Sequence, residues 1–159
     1  TVRALKYHSG RFEVRPGRPL PDGLLREDLE ALKLGAANLL GHLENLRQYG
    51  IPIVVAINQF PSDCESELQL IERIAKEAGA TRVARVTCFS RGGDGAVELA
   101  DAVIDASAEP SHFQPLYPLD IPYAEKLATV AKRVYGAADI ALSSAAQQLL
   151  ESFGQRGFE

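Results

Sequence analysis

The sequence has 159 residues, of which 46% are hydrophobic and 24% charged, and its formal net charge is −4. This length suits one domain with a substantial core, because a domain of about 150 residues buries roughly 70% of its unfolded surface. The acidic balance argues against a nucleic-acid binder, and no apolar run of about 18 residues predicts a membrane span. Without a secretory signal pattern, the sequence predicts a cytoplasmic protein whose two cysteines, Cys64 and Cys88, are free thiols.

The amino-terminal residues suggest that more chain belongs to the protein. The sequence contains no Met, and it opens with the letters TVRAL, which are typical of the middle of a strand. We therefore expect the chain to be part of a longer protein and to contact the remaining domains of that protein. The sequence leaves homo-oligomerisation open.

The first part of the chain predicts alternating strands and helices. A strand is expected at 2–5, and a proline-rich surface loop at 11–23. From 25 to 49 the apolar residues recur in steps of three and four, which predicts an amphipathic helix. These apolar residues are at 29, 32, 36, 39, 43 and 46. The β-branched run 53–57 then predicts a buried parallel strand.

The middle of the chain repeats this alternation. A helix is expected at about 62–79, a strand at 82–88 and a glycine-rich turn at 89–95. A third helix follows, and its apolar residues are expected to point inward. They are Val97, Ala100, Val103 and Ile104. The order strand, helix, strand, helix, strand, helix predicts an α/β fold of three layers, with a mostly parallel sheet and helices on both faces.

The last part of the chain predicts a helical segment. Residues 109–122 contain four prolines and predict an irregular connection. Helices are expected at 123–135 and 144–156, with a short strand near Ile140. The helical segment is expected to pack on the same core or on further domains of the longer protein. The predicted domains are 1–108 and 109–159.

Two aromatic residues follow predicted strands. Phe60 follows the strand at 53–57, and Phe89 follows the strand at 82–88. Ligands of open α/β sheets bind beyond the carboxyl ends of the strands. We expect the two rings to face each other across a slot for a flat heteroaromatic ring, with roughly 0.5–1.5 kcal/mol from each stacked contact. The alternative that each Phe is a hydrophobic plug of the core stays open.

Other residues near the strand ends have simpler alternative roles. Asn58 either hydrogen-bonds its own turn or lies in a nucleotide-base pocket, and Gly92-Gly93 either cradles an anion or makes a tight turn. For His8, an acid–base role competes with a structural one. No metal-ligand spacing is present, so no metal site is predicted, and the residues assign no catalytic group.

Four separated blocks of the sequence follow the order found in a known enzyme family. They are TVRALKYHSG, NLLGHLENLRQYGIPIVVAINQFPSD, CFSRGGDGAVELADAV and FQPLYPLDIPYAEKLATVAKRVYGAADI. Together they resemble the later-middle part of the formate–tetrahydrofolate ligases, and the resemblance covers nearly the whole chain. It implies a fold related to P-loop NTPases. It also implies an enzyme that uses ATP to activate formate as formyl phosphate and then gives 10-formyltetrahydrofolate.

The resemblance implies roles for the residues at the strand ends. Phe60-Pro61 matches the family's Phe-Pro pair, which packs on the pterin ring of the folate. Phe89 stands where the family usually has Trp as the opposite wall, so the aromatic face is kept but is smaller. Behind it, Arg91-Gly92-Gly93 matches a Lys-Gly-Gly segment. The expected substrate-binding residues are Phe60, Pro61, Phe89, Asn58, Arg91, Gly92 and Gly93.

The sequence contains no G-x-x-x-x-G-K-[ST] phosphate loop. We therefore expect the chain to carry the folate-stacking side of a ligase, to bind neither ATP nor tetrahydrofolate tightly alone, and to be inactive alone. Its expected partners are the small-molecule substrates and the remaining domains, not nucleic acid or membranes. The alternative is a non-catalytic docking module of a larger protein related to P-loop NTPases.

Overall fold

The computed structural model describes residues 1–158. It divides the chain into a first unit, Thr1–His112, and a second unit, Phe113–Glu159. No helix over the described residues is long and apolar enough to cross a membrane. The elements of the first unit are α1 Val2–His8, α2 Asp22–Leu25, α3 Leu29–Arg47, β1 Val54–Asn58, α4 Glu65–Glu77, β2 Arg82–Val86, α5 Cys88–Arg91, a 3₁₀ turn Gly92–Ala96 and α6 Val97–Ser107. Those of the second unit are α7 Tyr123–Tyr135 and α8 Ser144–Gln155.

The amino terminus is helical, so the prediction of a strand at 2–5 is wrong. The Thr1 hydroxyl accepts a hydrogen bond from the backbone amide of Ala4 at 3.1 Å and caps the first turn of α1. Val2 and Lys6, four residues apart, are both buried on the same side of this helix. A short apolar run fits a strand or a helix equally well, and here the cap and the four-residue spacing favour the helix.

The long helix expected at 25–49 is interrupted near its start. Arg26 is extended, with φ −99° and ψ 158°, and ends the short α2. The Asp28 carboxylate then accepts from the backbone amide of Ala31 at 2.8 Å and starts α3. A Cβ built on Gly35 would lie 1.6 Å from the carbonyl oxygen of Leu5, so α1 and α3 can pack this closely only because position 35 is glycine.

A buried ion pair joins α1 to α4. The Nζ atom of Lys6 lies 3.0 Å from a carboxylate oxygen of Glu67, and both side chains are 2% exposed. Lys6 also donates to the carbonyl oxygen of Arg26 at 2.7 Å, and Glu67 accepts from the backbone amide of Asp28 at 2.9 Å. These added hydrogen bonds offset part of the cost of burying the two charges, and they fix α1 against α4.

The two strands form a parallel pair with helices on both faces. The register runs from Val54 opposite Arg82 to Asn58 opposite Val86. Ile57 packs in the core with residues of α4, whereas Arg82 forms ion pairs with Asp105 of α6 and with Glu109 just after it. Because side chains alternate between the two faces of a strand, α4 and α6 cover opposite faces. The α/β class is confirmed, but the sheet over residues 1–158 has two strands.

The two outer edges of the sheet differ. On β2, the outward backbone amide of Arg85 donates to the Glu98 carboxylate at 3.1 Å, and that of Thr87 donates to the Gly95 carbonyl oxygen at 3.0 Å. Local groups therefore occupy this edge. On β1, no strand among residues 1–158 pairs with the edge that points away from β2. An unpaired edge of this kind is a template for another strand.

The face of α6 that was expected to be buried is exposed. Val97, Val103 and Ile104 are 56%, 45% and 66% exposed, and Ala100 is exposed as well. Ala106 is the buried residue of this helix. The inward prediction is wrong because another face of α6 is the more buried one, with Leu99 and Ala102 half-buried and Ala106 buried.

The second unit consists of α7, α8 and their connections. Both helices end within one residue of the predicted bounds, but residues 136–143 contain no strand, so the strand predicted near Ile140 is wrong. Gly136 ends α7 in the left-handed conformation, with φ +66°, which glycine adopts without steric cost. The Ser143 hydroxyl accepts from the backbone amide of Ala146 at 3.3 Å and caps α8.

Candidate functional site

The ends of the two strands lie side by side at one edge of the first unit. Asn58 is opposite Val86 in the register, and the backbone amide of Gln59 donates to the carbonyl oxygen of Val86 at 2.9 Å. The segments that follow β1 and β2 therefore leave the sheet from neighbouring points. His8 was also expected near a strand end, but no strand precedes it, since it is the last residue of α1.

A closed turn fixes the backbone of Phe60. Its amide donates to the Asp63 carboxylate at 2.8 Å, and the amide of Asp63 donates back to the Phe60 carbonyl oxygen at 3.0 Å. The two hydrogen bonds close the turn from both ends, with the Asp63 side chain as the acceptor for the Phe60 amide. Asp63 was not among the predicted site residues, although an Asp three positions after Phe60, in a turn that contains a proline, is a signal for such a bond.

A helical turn positions Phe89 at the end of β2. The backbone amide of Arg91 donates to the carbonyl oxygen of Thr87 at 3.0 Å. A Cβ on Gly95 would lie 2.5 Å from the carbonyl carbon of Thr87, so only glycine allows the chain to return this close to the strand. The sequence predicts the glycine-rich turn, but no local pattern marks Gly95 as the glycine that packs against the strand. The Phe89 side chain projects from this turn and is 73% exposed.

The structure brings the two predicted aromatic rings together. The ring centroids of Phe60 and Phe89 are 5.1 Å apart, and the ring planes are tilted by 51°. A planar ligand in van der Waals contact with both rings would need walls about 7 Å apart, since each contact takes about 3.5 Å. The rings therefore contact each other directly, and no slot for a third ring is open between them.

A cation from α1 lies on the Phe60 ring. The Cζ atom of the Arg3 guanidinium is 4.4 Å from the ring centroid. This distance is within the range of a cation–π interaction. This contact could not be predicted from the sequence, because Arg3 was expected in a strand and because the contact joins residues far apart in the chain.

The remaining predicted site residues are all exposed and lie close in the chain to the ends of β1 and β2. They are Asn58, Pro61, Arg91, Gly92 and Gly93. Gly92 has φ +58°, a conformation that favours glycine, whereas a Cβ on Gly93 would meet no atom within 4 Å. Local backbone geometry therefore requires glycine at position 92 but does not require it at position 93.

The pKa values of two side chains near this edge, Cys64 and Glu65, differ from their ordinary values. Burial and the nearby Glu67 charge raise the pKa of the Cys64 thiol, so Cys64 is protonated at neutral pH. Hydrogen bonds from Arg85 and Gln69 lower the pKa of Glu65 to about 2. Among residues 1–158, no group of three or more His, Cys, Asp or Glu side chains has an arrangement that could hold a metal ion. The described ring contacts at this edge are those between Phe60 and Phe89 and between Arg3 and Phe60.

The second unit contains a separate apolar cavity of about 510 Å³. Its lining includes Tyr123, Leu127 and Tyr135 of α7 and Phe153 of α8, with Lys126 as a charged residue. None of the predicted site residues lies in it. Tyr135 is 80% exposed and Leu127 is 43% exposed, so the cavity is an open groove along the two helices.

The sequence model of formate–tetrahydrofolate ligase matches residues 1–159. The chain belongs to the formate–tetrahydrofolate ligase family. It is 47% identical over 159 residues to formate–tetrahydrofolate ligase of Aeromonas hydrophila and 45% identical over 158 residues to that of Herpetosiphon aurantiacus. It is also 46% identical over 158 residues to the cytoplasmic C-1-tetrahydrofolate synthase of Homo sapiens.

These members of the ligase family are much longer than the chain. The alignments cover 100% and 99% of the chain but 28% of each of the two bacterial ligases. They cover 17% of the human synthase. The chain therefore spans less than a third of the length of the ligase relatives that it matches.

Proposed function

We propose that the whole protein to which this chain belongs is a formate–tetrahydrofolate ligase, which uses ATP to join formate to tetrahydrofolate and gives 10-formyltetrahydrofolate. The observation that carries this proposal is the match of the family over residues 1–159, with relatives named as ligases at 45% and 47% identity. These names do not favour the alternative of a non-catalytic docking module.

The first unit supplies the folate-stacking side of the site in this proposal. Phe60 is the fixed wall, since Asp63 holds its backbone, and Phe89 is the wall that moves. The ring separation has to increase from 5.1 Å to about 7 Å before a pterin ring can enter. Phe89 is 73% exposed, so turning it outward breaks few packing contacts. The exposed residues Asn58, Pro61, Arg91, Gly92 and Gly93 then contact the edges of the ligand.

The ATP site comes from the rest of the polypeptide in this proposal, because the chain has no phosphate loop of its own. The free edge of β1 is where strands of the remaining domains would extend the sheet into a three-layer fold related to P-loop NTPases. The chain alone then binds neither substrate tightly and has no turnover. The same edge would promote self-association of the isolated chain. We place the whole protein in the cytoplasm, as the name of the human relative states for that protein.

The stacking role is tested by replacing each ring in the complete polypeptide. We expect Phe60→Ala to weaken tetrahydrofolate binding by about 1–2 kcal/mol, or roughly five- to thirtyfold, because a stacking face is lost. Phe89→Ala should weaken tetrahydrofolate binding less. This variant loses a stacking face, but it also loses the Phe60–Phe89 contact that has to break before the ligand enters. Equilibrium titration with tetrahydrofolate measures both effects, and a parallel titration with ATP should show no change.

Phe158→Ala is the matched control, since Phe158 is 53% exposed and lies in the second unit. It should leave tetrahydrofolate affinity unchanged. Wild-type tetrahydrofolate affinity in both Phe60→Ala and Phe89→Ala would show that this aromatic pair is not the folate-binding surface.

A further inference from the structure

We propose that Arg3 is a positioning residue for the Phe60 ring: its guanidinium covers one face of the ring and holds the other face ready for a stacked ligand. This inference rests on the proposed folate-binding role of Phe60. It starts from the 4.4 Å distance between the Arg3 Cζ atom and the Phe60 ring centroid. The contact joins α1 to the turn after β1.

Arg3 is held by a rigid part of the first unit. Val2, the preceding residue, is 1% exposed and belongs to the core cluster. Lys6, one turn later, is 2% exposed and is paired with Glu67. The backbone of α1 also approaches α3 as closely as Gly35 allows. The guanidinium is therefore presented from a fixed helix, so holding it over the ring costs less side-chain entropy than for an arginine on a mobile loop.

The Phe60 ring needs such support. Asp63 fixes the backbone of Phe60, but the side chain is only partly buried. Its aromatic neighbour Phe89 is 73% exposed and has to move before a flat ligand can enter. Once Phe89 has moved, Arg3 is the described ring contact that still holds Phe60. A ring that is already held in its bound orientation loses less entropy when a ligand binds to it, which is the general benefit of preorganisation.

The geometry also selects the face that a ligand uses. A ring has two faces, and the guanidinium lies over one of them. A pterin can therefore stack only on the other face while Arg3 stays in place. Arg3 contacts the wall and not the ligand in this arrangement, so its effect on binding passes through Phe60.

Arg3→Met and Arg3→Lys in the complete polypeptide test this role. Methionine keeps much of the side-chain length and removes the charge, whereas lysine keeps a cation. We expect Arg3→Met to raise the KM and Kd for tetrahydrofolate roughly two- to fivefold, from the usual strength of an exposed cation–π contact. The KM values for ATP and formate should not change, and Arg3→Lys should restore at least half of the loss on a logarithmic scale.

A double-mutant cycle separates positioning from a general effect on stability. Phe60→Leu removes the ring but keeps an apolar side chain, so Arg3→Met should have no further effect on the tetrahydrofolate Kd in that background. Arg15→Met is the matched control, since the Arg15 side chain is 71% exposed, and it should leave all three KM values unchanged.

The outcomes distinguish this inference from the proposed function. If Phe60→Ala weakens tetrahydrofolate binding but Arg3→Met does not, the positioning role is wrong and the folate site stands. If neither Phe60→Ala nor Arg3→Met weakens tetrahydrofolate binding, the folate-binding role of Phe60 is wrong, and the positioning role that rests on it is wrong as well. A full additional loss from Arg3→Met in the Phe60→Leu background, equal losses for all three substrates, or no restoration by lysine would each overturn the positioning role.

Discussion

The two units of the chain differ in how much apolar surface they bury. In the first unit, Leu32 and Leu68 are at most 1% exposed and belong to one connected core. In the second unit, Leu116 is the buried apolar residue among those described, while Leu119 and Tyr135 are 70% and 80% exposed. Small units bury a low fraction of their surface and depend on outside contacts for stability. The first unit is therefore organised by a connected core, whereas the described residues of the second unit bury little apolar surface.

The same difference applies to the two apolar sites on the surface of the chain, the Phe60–Phe89 pair and the groove along α7 and α8. The backbone of Phe60 is held by its bonds to Asp63 and follows a strand that packs on the core, so this ring is in place before any ligand binds and only the exposed Phe89 side chain has to move. The groove along α7 and α8 has no such core beneath it. Preorganised groups lose less freedom on binding, which is why we assign the ligand site to the first unit.

Matched truncations in the two units test whether their cores differ. We expect Leu68→Ala in the first unit to lower the free energy of unfolding by about 2–5 kcal/mol, because it leaves a cavity in a packed core. Leu149→Ala in the second unit should change it by less than about 0.5 kcal/mol, since Leu149 is 55% exposed. Urea unfolding of the 159-residue chain measures both values. Equal losses in the two variants would mean that the second unit has a comparable core of its own.

The contact between Arg85 of β2 and Glu65 of α4 is expected to have a smaller effect. Hydrogen bonds from Arg85 lower the pKa of Glu65 to about 2 from an ordinary 4.5. A carboxyl group with a lower pKa in the folded chain adds stability that is complete above pH 4.5 and is lost as the pH falls toward 2. Arg85→Gln should move the Glu65 pKa back toward 4.5 and remove this contribution to the acid dependence.

Titration of the side-chain carboxyl signals by NMR checks this prediction. Glu30, whose pKa is lowered by Lys33 on the same helix, is the internal control and should keep its pKa in Arg85→Gln. A Glu65 pKa that stays near 2 without Arg85 would show that another group stabilises the carboxylate.

Helices with chemical boundary signals could be predicted from the sequence. α7 follows Pro122 and ends at Gly136, which adopts the left-handed conformation, and its observed bounds agree with the prediction. In contrast, the residues Val2–Leu5 carry no proline or glycine and form too short a run for periodicity to decide between strand and helix. The buried face of α6 could not be predicted either, because two of its faces carry apolar residues and tertiary packing decides between them.

The candidate site, too, could be predicted from the sequence only in part. The position of Phe60 and Phe89 at neighbouring strand ends follows from the parallel order of the elements, and the structure brings the two rings together. The direct ring contact could not be predicted, because side-chain packing sets the separation. The Arg3 contact joins residues far apart in the sequence, and Gly95 packs where the chain folds back on the end of β2. No local sequence pattern therefore identified either residue.

A crystal structure of the complete polypeptide with tetrahydrofolate tests the stacking account most directly. We predict that the Phe60 and Phe89 centroids separate from 5.1 Å to about 7 Å, with the pterin between them and Arg3 still on the far face of Phe60. A bound folate with its pterin elsewhere, while the two rings keep their direct contact, would contradict the account.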